Sequence, residues 1–260
     1  MWFKKDDSNI SAEFTVEKSL IKRLSAPIFS IAKVAPREDL KNVLMKVDNG
    51  ILKFIATDGR RILSMHGKMM GPPNPAKFSL VVPFDVIRQL ANIDLSVGYK
   101  TVQLSIGNNV ISFKFDSIDA RSKYLNVNTL PELETFIPAA SGIQTVVHKK
   151  KMFEAIEKAA PLADDAHGIK IEIFNDKMTF FPPQNQKDAI KTIDVQYAGK
   201  PLTVILDINY LKEFLESVTV NDSVILDFPP LAGAPASQLV SRGEDYAFVL
   251  LCQWRSDSKE

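Results

Sequence analysis

The 260-residue chain repeats itself, and the repeat limits what it can fold into more than any single motif does. Phe14 to Ala26 (FTVEKSLIKRLSA) and Thr145 to Ala159 (TVVHKKKMFEAIEKA) each read as a short apolar strand running into a lysine-rich amphipathic helix. A strand pair around a turn follows in both halves, GILKFIATDGRRILSM from Gly50 and IKIEIFNDKMTFFPP from Ile169. Next comes a strand leading into a second helix, SLVVPFDVIRQLANI from Ser79 and LTVILDINYLKEFLESV from Leu202. Both halves finish with strands, VQLSIGNNVISFKF from Val102 and SVILDF with DYAFVLL from Ser223. Val16 and Val146, Pro83 and Asp207, and Val102 and Val224 lie 130, 124 and 122 residues apart, a drift that loop-length changes absorb.

Apolar residues alternate at Ile169, Ile171, Ile173 and at Val102, Leu104, Ile106, the period of half-buried antiparallel strands. Val86, Ile87, Leu90, Ile93 and Leu211, Phe214, Leu215, Val218 follow the helical period instead. Asp85 and Asn209 sit where a side chain can cap the second helices, and Pro27 predicts the end of the first helix. The expected fold class is α+β, two repeated domains with two helices each packed on antiparallel sheets. Residues 1–138 form the first domain, with a linker from about 130 (LPELETFIPAASG, Leu130 to Gly142), and residues 139–260 form the second.

Composition narrows the class. With 45% hydrophobic and 24% charged residues, disorder and disulfide-dense scaffolds are excluded. Cys252 has no second cysteine to pair with, the N-terminus lacks an apolar signal core, and no run approaches the roughly 18 apolar residues of a membrane span. A cytosolic protein with no membrane partner is expected, so the N-x-S triplets at Asn9 and Asn221 carry little weight. The net charge of +1 gives no sign of a strongly basic nucleic-acid binder.

Catalytic signatures are missing. There is no G-x-S-x-G, P-loop, G-x-G-x-x-G or H-E-x-x-H, and Ser19 to Lys22 matches S-x-x-K without its companion motifs. His66, His148 and His167 share no metal-ligand spacing, so no metal and no cofactor is expected. Lysine distribution says more than net charge. Lys18, Lys22 and Arg23 flank the first helix of the first half; Lys149, Lys150, Lys151 and Lys158 mark its counterpart, where Met152, Phe153 and Ile156 face inward. Each stretch, 17–26 and 149–160, carries +2, more than the whole chain. A lone basic helix is a solvated face; the same bias in both halves leaves that reading and a contact with anions equally open.

Ile55 to Ile62 (IATDGRRI) reads as a strand, an Asp-Gly hairpin turn and a second strand from Arg61. The string resembles the V-A-T-D-G-H-R-L sequence of the bacterial sliding clamp, the beta subunit of DNA polymerase III. FTVEKSLIKRLSA resembles the opening of that family's middle domain, SLVVPFDVIRQL its I-V-P-x-x-x-[VI]-x-x-[LM] segment, and VQLSIGNNVISFKF its V-x-V-x-I-G-x-N-x-I stretch. Leu130 to Pro138 falls where the family has F-P-D-Y and a second proline five residues on. ILDINYLKEFLESV is similar to F-N-x-x-Y-[LV]-x-x-x-L, and Asp245 to Gln253 resembles the Y-V-V-M-P-M terminus. The resemblance runs from about Phe14 to Trp254 and covers the second and third domains of a three-domain family.

The resemblance implies two DNA-clamp domains and a non-enzymatic processivity factor. Family rings have six similar domains, with helices toward a central hole and strands joined edge to edge, so two-domain chains would close as a head-to-tail homotrimer. Double-stranded DNA would be met without sequence preference by Lys18, Lys22, Arg23, Arg88, Lys149, Lys150, Lys151, Lys158 and Lys212. A DNA polymerase and a clamp loader would dock short linear motifs in a pocket of Thr57, Gly59, Arg61, Ile62, Pro131, Phe136, Val249, Leu251, Cys252 and Gln253. The implied location is the cytoplasm, at the nucleoid or wherever replication proceeds. Within that pocket Leu251-Cys252-Gln253 replaces methionine-proline-methionine, Leu130 an aromatic, and Arg60 a histidine. Two other readings stand beside this one: a clamp-like protein that does not encircle DNA and competes for clamp-binding peptides, and an enzyme using Asp58 or Asp85 as a base.

Overall fold

The computed structural model describes residues 10–71, 77–107, 109–125, 132–142, 144–183, 188–218, 222–229 and 238–253. Packing divides the chain into unit 1, Met1–Gly59 with Leu63–Leu133, and unit 2, Arg60–Ile62 with Glu134–Glu260. The division falls at 133/134, five residues before the boundary expected from the linker, and Arg60–Ile62 packs with the second unit.

Unit 1 runs β1 (Ile10–Glu17), α1 (Lys18–Val34), a 3-10 turn (Glu38–Lys41), β2 (Val43–Asp48), β3 (Ile51–Thr57), β4 (Arg61–Lys68), β5 (Phe78–Val82), α2 (Phe84–Ala91), β6 (Thr101–Gly107), β7 (Val110–Phe115) and β8 (Ile118–Lys123). Unit 2, after a 3-10 turn at Leu133–Phe136, repeats the order: β9 (Gln144–His148), α3 (Lys149–Ala159), a 3-10 turn (Ala160–Leu162), β10 (Gly168–Phe174), β11 (Lys177–Phe181), β12 (Lys191–Tyr197), β13 (Leu202–Asp207), α4 (Ile208–Ser217), β14 (Ser223–Asp227), β15 (Gln238–Arg242) and β16 (Tyr246–Leu251). The fold is α+β with antiparallel pairing throughout. In unit 1 the strands order as β1-β6-β7-β8 and β5-β2-β3-β4; in unit 2 they order as β13-β10-β11-β12-β9-β14-β15-β16.

Register makes the repeat exact to the residue. Val16 pairs Val102 on β1 and β6, and Val147 pairs Val224 on β9 and β14. The residue matching Val16 is therefore Val147, one beyond the Val146 chosen from sequence. Val16 and Val147 are fully buried, whereas Val146 is half-buried, because a one-residue slip turns a side chain to the other face.

Each core is one helix pair laid on its sheets. In unit 1, Ile21, Leu24 and Ile28 of α1 and Ile87 and Leu90 of α2 are sealed with Phe54 and Phe113. In unit 2, Met152 and Ile156 of α3 and Leu211 and Leu215 of α4 are sealed with Phe180 and Phe248, and Phe214 stacks on Phe248 at 4.3 Å. At roughly 1.5–3 kcal/mol for each fully buried large side chain, such faces dominate stability. They also explain a correction: α1 does not stop at Pro27 but continues to Val34. A proline inside a helix costs about 3 kcal/mol; the turns beyond it bury Ile28, Ile31, Ala32 and Ala35, which outweighs that loss.

Candidate partner and nucleic-acid interfaces

The β3–β4 hairpin turns through Gly59 at φ +91°, a conformation L side chains rarely adopt, and Gly59 N donates to Thr57 Oγ1 at 3.0 Å. Thr57 and Gly59 belong to unit 1. Of the expected pocket residues, Arg61, Ile62, Phe136, Val249, Leu251, Cys252 and Gln253 belong to unit 2, and Pro131 lies outside the described residues.

In unit 2 the most constrained of these is Arg61, at 2% exposure. Its guanidinium stacks 4.0 Å from the ring centre of Tyr210 and pairs with Glu213 at 2.7 Å, so α4 fixes the cation from two sides. Sequence reading missed Tyr210, Glu213 and Asp207 as neighbours of Arg61; the signal was the similarity of ILDINYLKEF to the family's F-N-x-x-Y string. Asp207, not Asn209, caps α4: its carboxylate accepts from Asn209 N and Tyr210 N. Burial pushes the Asp207 carboxyl above its ordinary range, against the two backbone donors and the charges of His167 and Arg61.

The end of β16 and the two residues after it are pinned. Leu251 N donates to the Arg60 carbonyl at 3.0 Å, and Gln253 donates from its backbone to Ile205 O and from its side chain to Ala166 O, both at 2.8 Å. Gly168 makes this approach possible, since a Cβ there would meet Gln253 Oε1 at 2.5 Å. Leu251 and Phe136 present apolar surface, 44% and 57% exposed, and Ile62 is half-buried. Val249 is enclosed, so it contributes little accessible surface. Burial pushes the Cys252 thiol up to about 12, which leaves it a neutral, unreactive apolar group.

The basic residues expected to face DNA sort into two sets. Lys18 is not available to phosphates: it is 3% exposed, and its ammonium donates to Asp116 Oδ2 at 2.5 Å and Val97 O at 2.8 Å. The Lys18 hydrogen bond, joined by one from Tyr99 N, holds Asp116 below its ordinary pKa. Lys22 donates to Ile93 O at 2.7 Å and Lys149 to Val218 O at 2.6 Å. Both cations satisfy a carbonyl at the end of the second helix of their unit, where free carbonyls and the helix dipole favour positive charge. Half-buried Arg23 runs beside Gly67, where a Cβ would come within 2.9 Å of its guanidinium. The second set reaches solvent. Lys150 and Lys158 are exposed, Lys151 sits 4.0 Å from Asp194, Arg88 pairs with Asp85 at 3.0 Å, and Lys212 pairs with Glu157 at 3.2 Å over Phe153.

Asp85 is thus an exposed ion-pair partner, and Asp58 is buried in the hairpin at 4% exposure. Among the described residues, no three His, Cys, Asp or Glu side chains are grouped to hold a metal ion, and no helix is long and apolar enough to cross a membrane.

No family model matches the chain. In sequence it is similar to the beta sliding clamp of Proteus mirabilis, 25% identical over 248 residues that cover 94% of this chain and 66% of the relative. It is also similar to that of Pseudomonas aeruginosa, 27% identical over 251 residues covering 93% and 65%. The chain spans about two thirds of the length of the curated relatives it matches. In structure it matches the DNA polymerase sliding clamp of Pseudomonas aeruginosa with a TM-score of 0.83 at 20% identity, over 98% of this chain and 69% of that one. The DNA polymerase III beta subunit of Thermotoga maritima gives 0.82 at 14% identity, over 98% and 68%. The chain has the clamp fold and resembles part of a beta sliding clamp.

Proposed function

We propose that this chain is a DNA sliding clamp, a non-enzymatic processivity factor that closes into a head-to-tail homotrimer around duplex DNA and tethers a DNA polymerase and its loader by short peptide motifs. The observation that carries the reading is the repeated eleven-element unit with two helices on antiparallel sheets, covering nearly the whole chain in its match to solved clamps. A topologically linked ring needs mobility rather than tight binding, and the exposed Lys150, Lys151 and Lys158 supply a sequence-independent, salt-sensitive attraction of the kind sliding requires. Apolar side chains anchor short motifs, and Phe136 and Leu251 are the exposed apolar members of the peptide site.

The test is retention on DNA. Protein loaded on nicked circular DNA is expected to co-elute with it and to be released once the circle is linearised. Equal retention on circles and on linear DNA with open ends means ordinary binding, and the ring reading then fails. For tethering, Leu251→Asp is expected to weaken a clamp-binding peptide at least tenfold by fluorescence anisotropy, with the protein's solution mass unchanged. An unchanged affinity would remove Leu251 from the site.

A further inference from the structure

At the start of α4 the Asp207 carboxylate uses one oxygen and leaves the other unused. Asn209 N and Tyr210 N donate to Asp207 Oδ1 at 3.0 and 3.2 Å, while Oδ2 receives no hydrogen bond among the described residues. Asp207 is only 5% exposed, yet Oδ2 is not sealed from water. An acceptor this enclosed recovers little of its lost hydration, and burial accordingly raises the pKa of the carboxyl. A donor brought to Oδ2 from outside would supply the missing partner.

The neighbouring side chains leave that place open. Two charged groups act on Asp207 from adjoining segments, Arg61 from β4 and His167 from the turn before β10, and neither hydrogen-bonds to it. The Arg61 guanidinium is held by Glu213 and the Tyr210 ring. His167 meets α4 through its carbonyl, which accepts from Ile208 N at 2.9 Å. The end of the chain passes close by: Gly168 pairs with Asp207 across β10 and β13, and Gln253 lies against Gly168 and donates to Ile205 O. Asp207 is thus bordered by Arg61 and Gln253, two of the expected peptide-site residues. It also stands at the asparagine of the F-N-x-x-Y string, with Tyr210 at its tyrosine. An amide can donate or accept, whereas a carboxylate only accepts.

From the unused, nearly enclosed oxygen and its place beside Arg61 and Gln253, we infer that Asp207 is a specificity-determining residue of the peptide site. Its Oδ2 accepts a hydrogen bond from an N–H donor side chain of the docked motif and rejects a motif with a carboxylate at that position. The inference rests on the tethering reading. A bond to a charged acceptor in a poorly hydrated place favours the donor. A carboxylate there meets like charge and leaves Oδ2 unpaired, so selection is by repulsion as well as attraction.

The experiment measures binding of labelled short peptides by fluorescence anisotropy at neutral pH. The peptides carry leucine and phenylalanine anchors, and each remaining position in turn holds glutamine or glutamate, which exchange an amide for a carboxylate at nearly constant shape. At one position the wild type is expected to prefer glutamine by roughly tenfold or more. Asp207→Asn, whose amide can serve either partner, is expected to bring that ratio close to one. Asp194→Asn, an exposed acid on β12, is expected to leave it alone. A wild-type ratio near one at every position, or a ratio that Asp207→Asn leaves intact, overturns the inference. So does an equal loss of preference in Asp194→Asn, which would assign the effect to overall charge. Leu251→Asp separates this inference from the reading beneath it. Peptides weakened by Leu251→Asp with an intact ratio in Asp207→Asn leave the site standing without Asp207. A ratio lost in Asp207→Asn with no effect of Leu251→Asp keeps Asp207 and removes Leu251 from the site. If no peptide binds the wild type, both fall.

Discussion

Asp207 shows how a single residue can serve a helix and still be costly to ionise. Its carboxylate caps α4, yet it is 5% exposed and its pKa is raised because desolvation outweighs two backbone hydrogen bonds. A carboxyl raised above its unfolded value contributes stability that is complete below the unfolded pKa and lost as pH rises through the higher folded value. Asp207→Asn keeps an acceptor oxygen without the charge, so the wild type is expected to gain on this variant as pH is lowered from neutrality to about 4. Urea unfolding across that range checks it, and a constant difference at every pH sinks the assignment. Asp207→Ala removes the acceptor and is expected to cost about 1 kcal/mol at neutral pH. Asp116 has the opposite sign. Its lowered pKa means the tie to Lys18 stabilises at neutral pH and is lost as pH falls through the folded-state value. Lys18→Met is therefore expected to lower the melting temperature at pH 7 and to shrink the acid sensitivity of unit 1.

At the scale of elements, α1 carries its proline because of what lies beyond it. Pro27→Ala restores a backbone donor in mid-helix and is expected to raise stability by about 2 kcal/mol, the helix-propensity gain less the greater freedom of the unfolded chain. A melting curve that does not move would mean Pro27 packs in a way alanine cannot replace. The four helices and the most periodic strands were legible in the sequence, since the two-residue and 3.6-residue periods at Ile169–Ile173 and Val86–Ile93 are local. The strands β2, β8 and β12 were not read, so the hairpin from Gly50, β3–β4, was matched to β10–β11, whose counterpart in the element order is β2–β3. Three further things were not legible. The strand register turned on adjacent valines, Val146 and Val147, that satisfy the same pattern. The cap on α4 depended on where β13 ends, which set Asp207 rather than Asn209 at the boundary. The lysines' partners lie far along the chain, Val97 and Asp116 for Lys18, Ile93 for Lys22 and Val218 for Lys149, and no helical spacing reveals them. Three of the seven basic side chains read from α1 and α3 therefore serve packing within their own unit.

For the whole molecule, the repeat bears on assembly through its strand edges. In unit 2 the last strand, β16, has its outer edge met by the chain itself, with Leu251 N donating to Arg60 O. In unit 1 the matching strand, β8, ends its sheet among the described residues, and Ile118 at its start is 46% exposed. An uncovered strand edge with flanking apolar side chains is a site for another strand. In the head-to-tail reading proposed above, this edge meets a different strand of a second copy. Such a contact joins unlike surfaces and either closes into a ring or extends into a filament. Closure with six clamp units requires three chains of 29.0 kDa, about 87 kDa in all. Sedimentation equilibrium is expected to show that mass holding constant as concentration rises through the micromolar range. Mass that keeps growing with concentration would indicate an open filament, and a stable monomer would indicate that the β8 edge is not an assembly surface. Ile118→Lys places charge at the start of the edge and is expected to yield monomers with unchanged circular dichroism; a trimer that survives the change would move the contact elsewhere on the molecule.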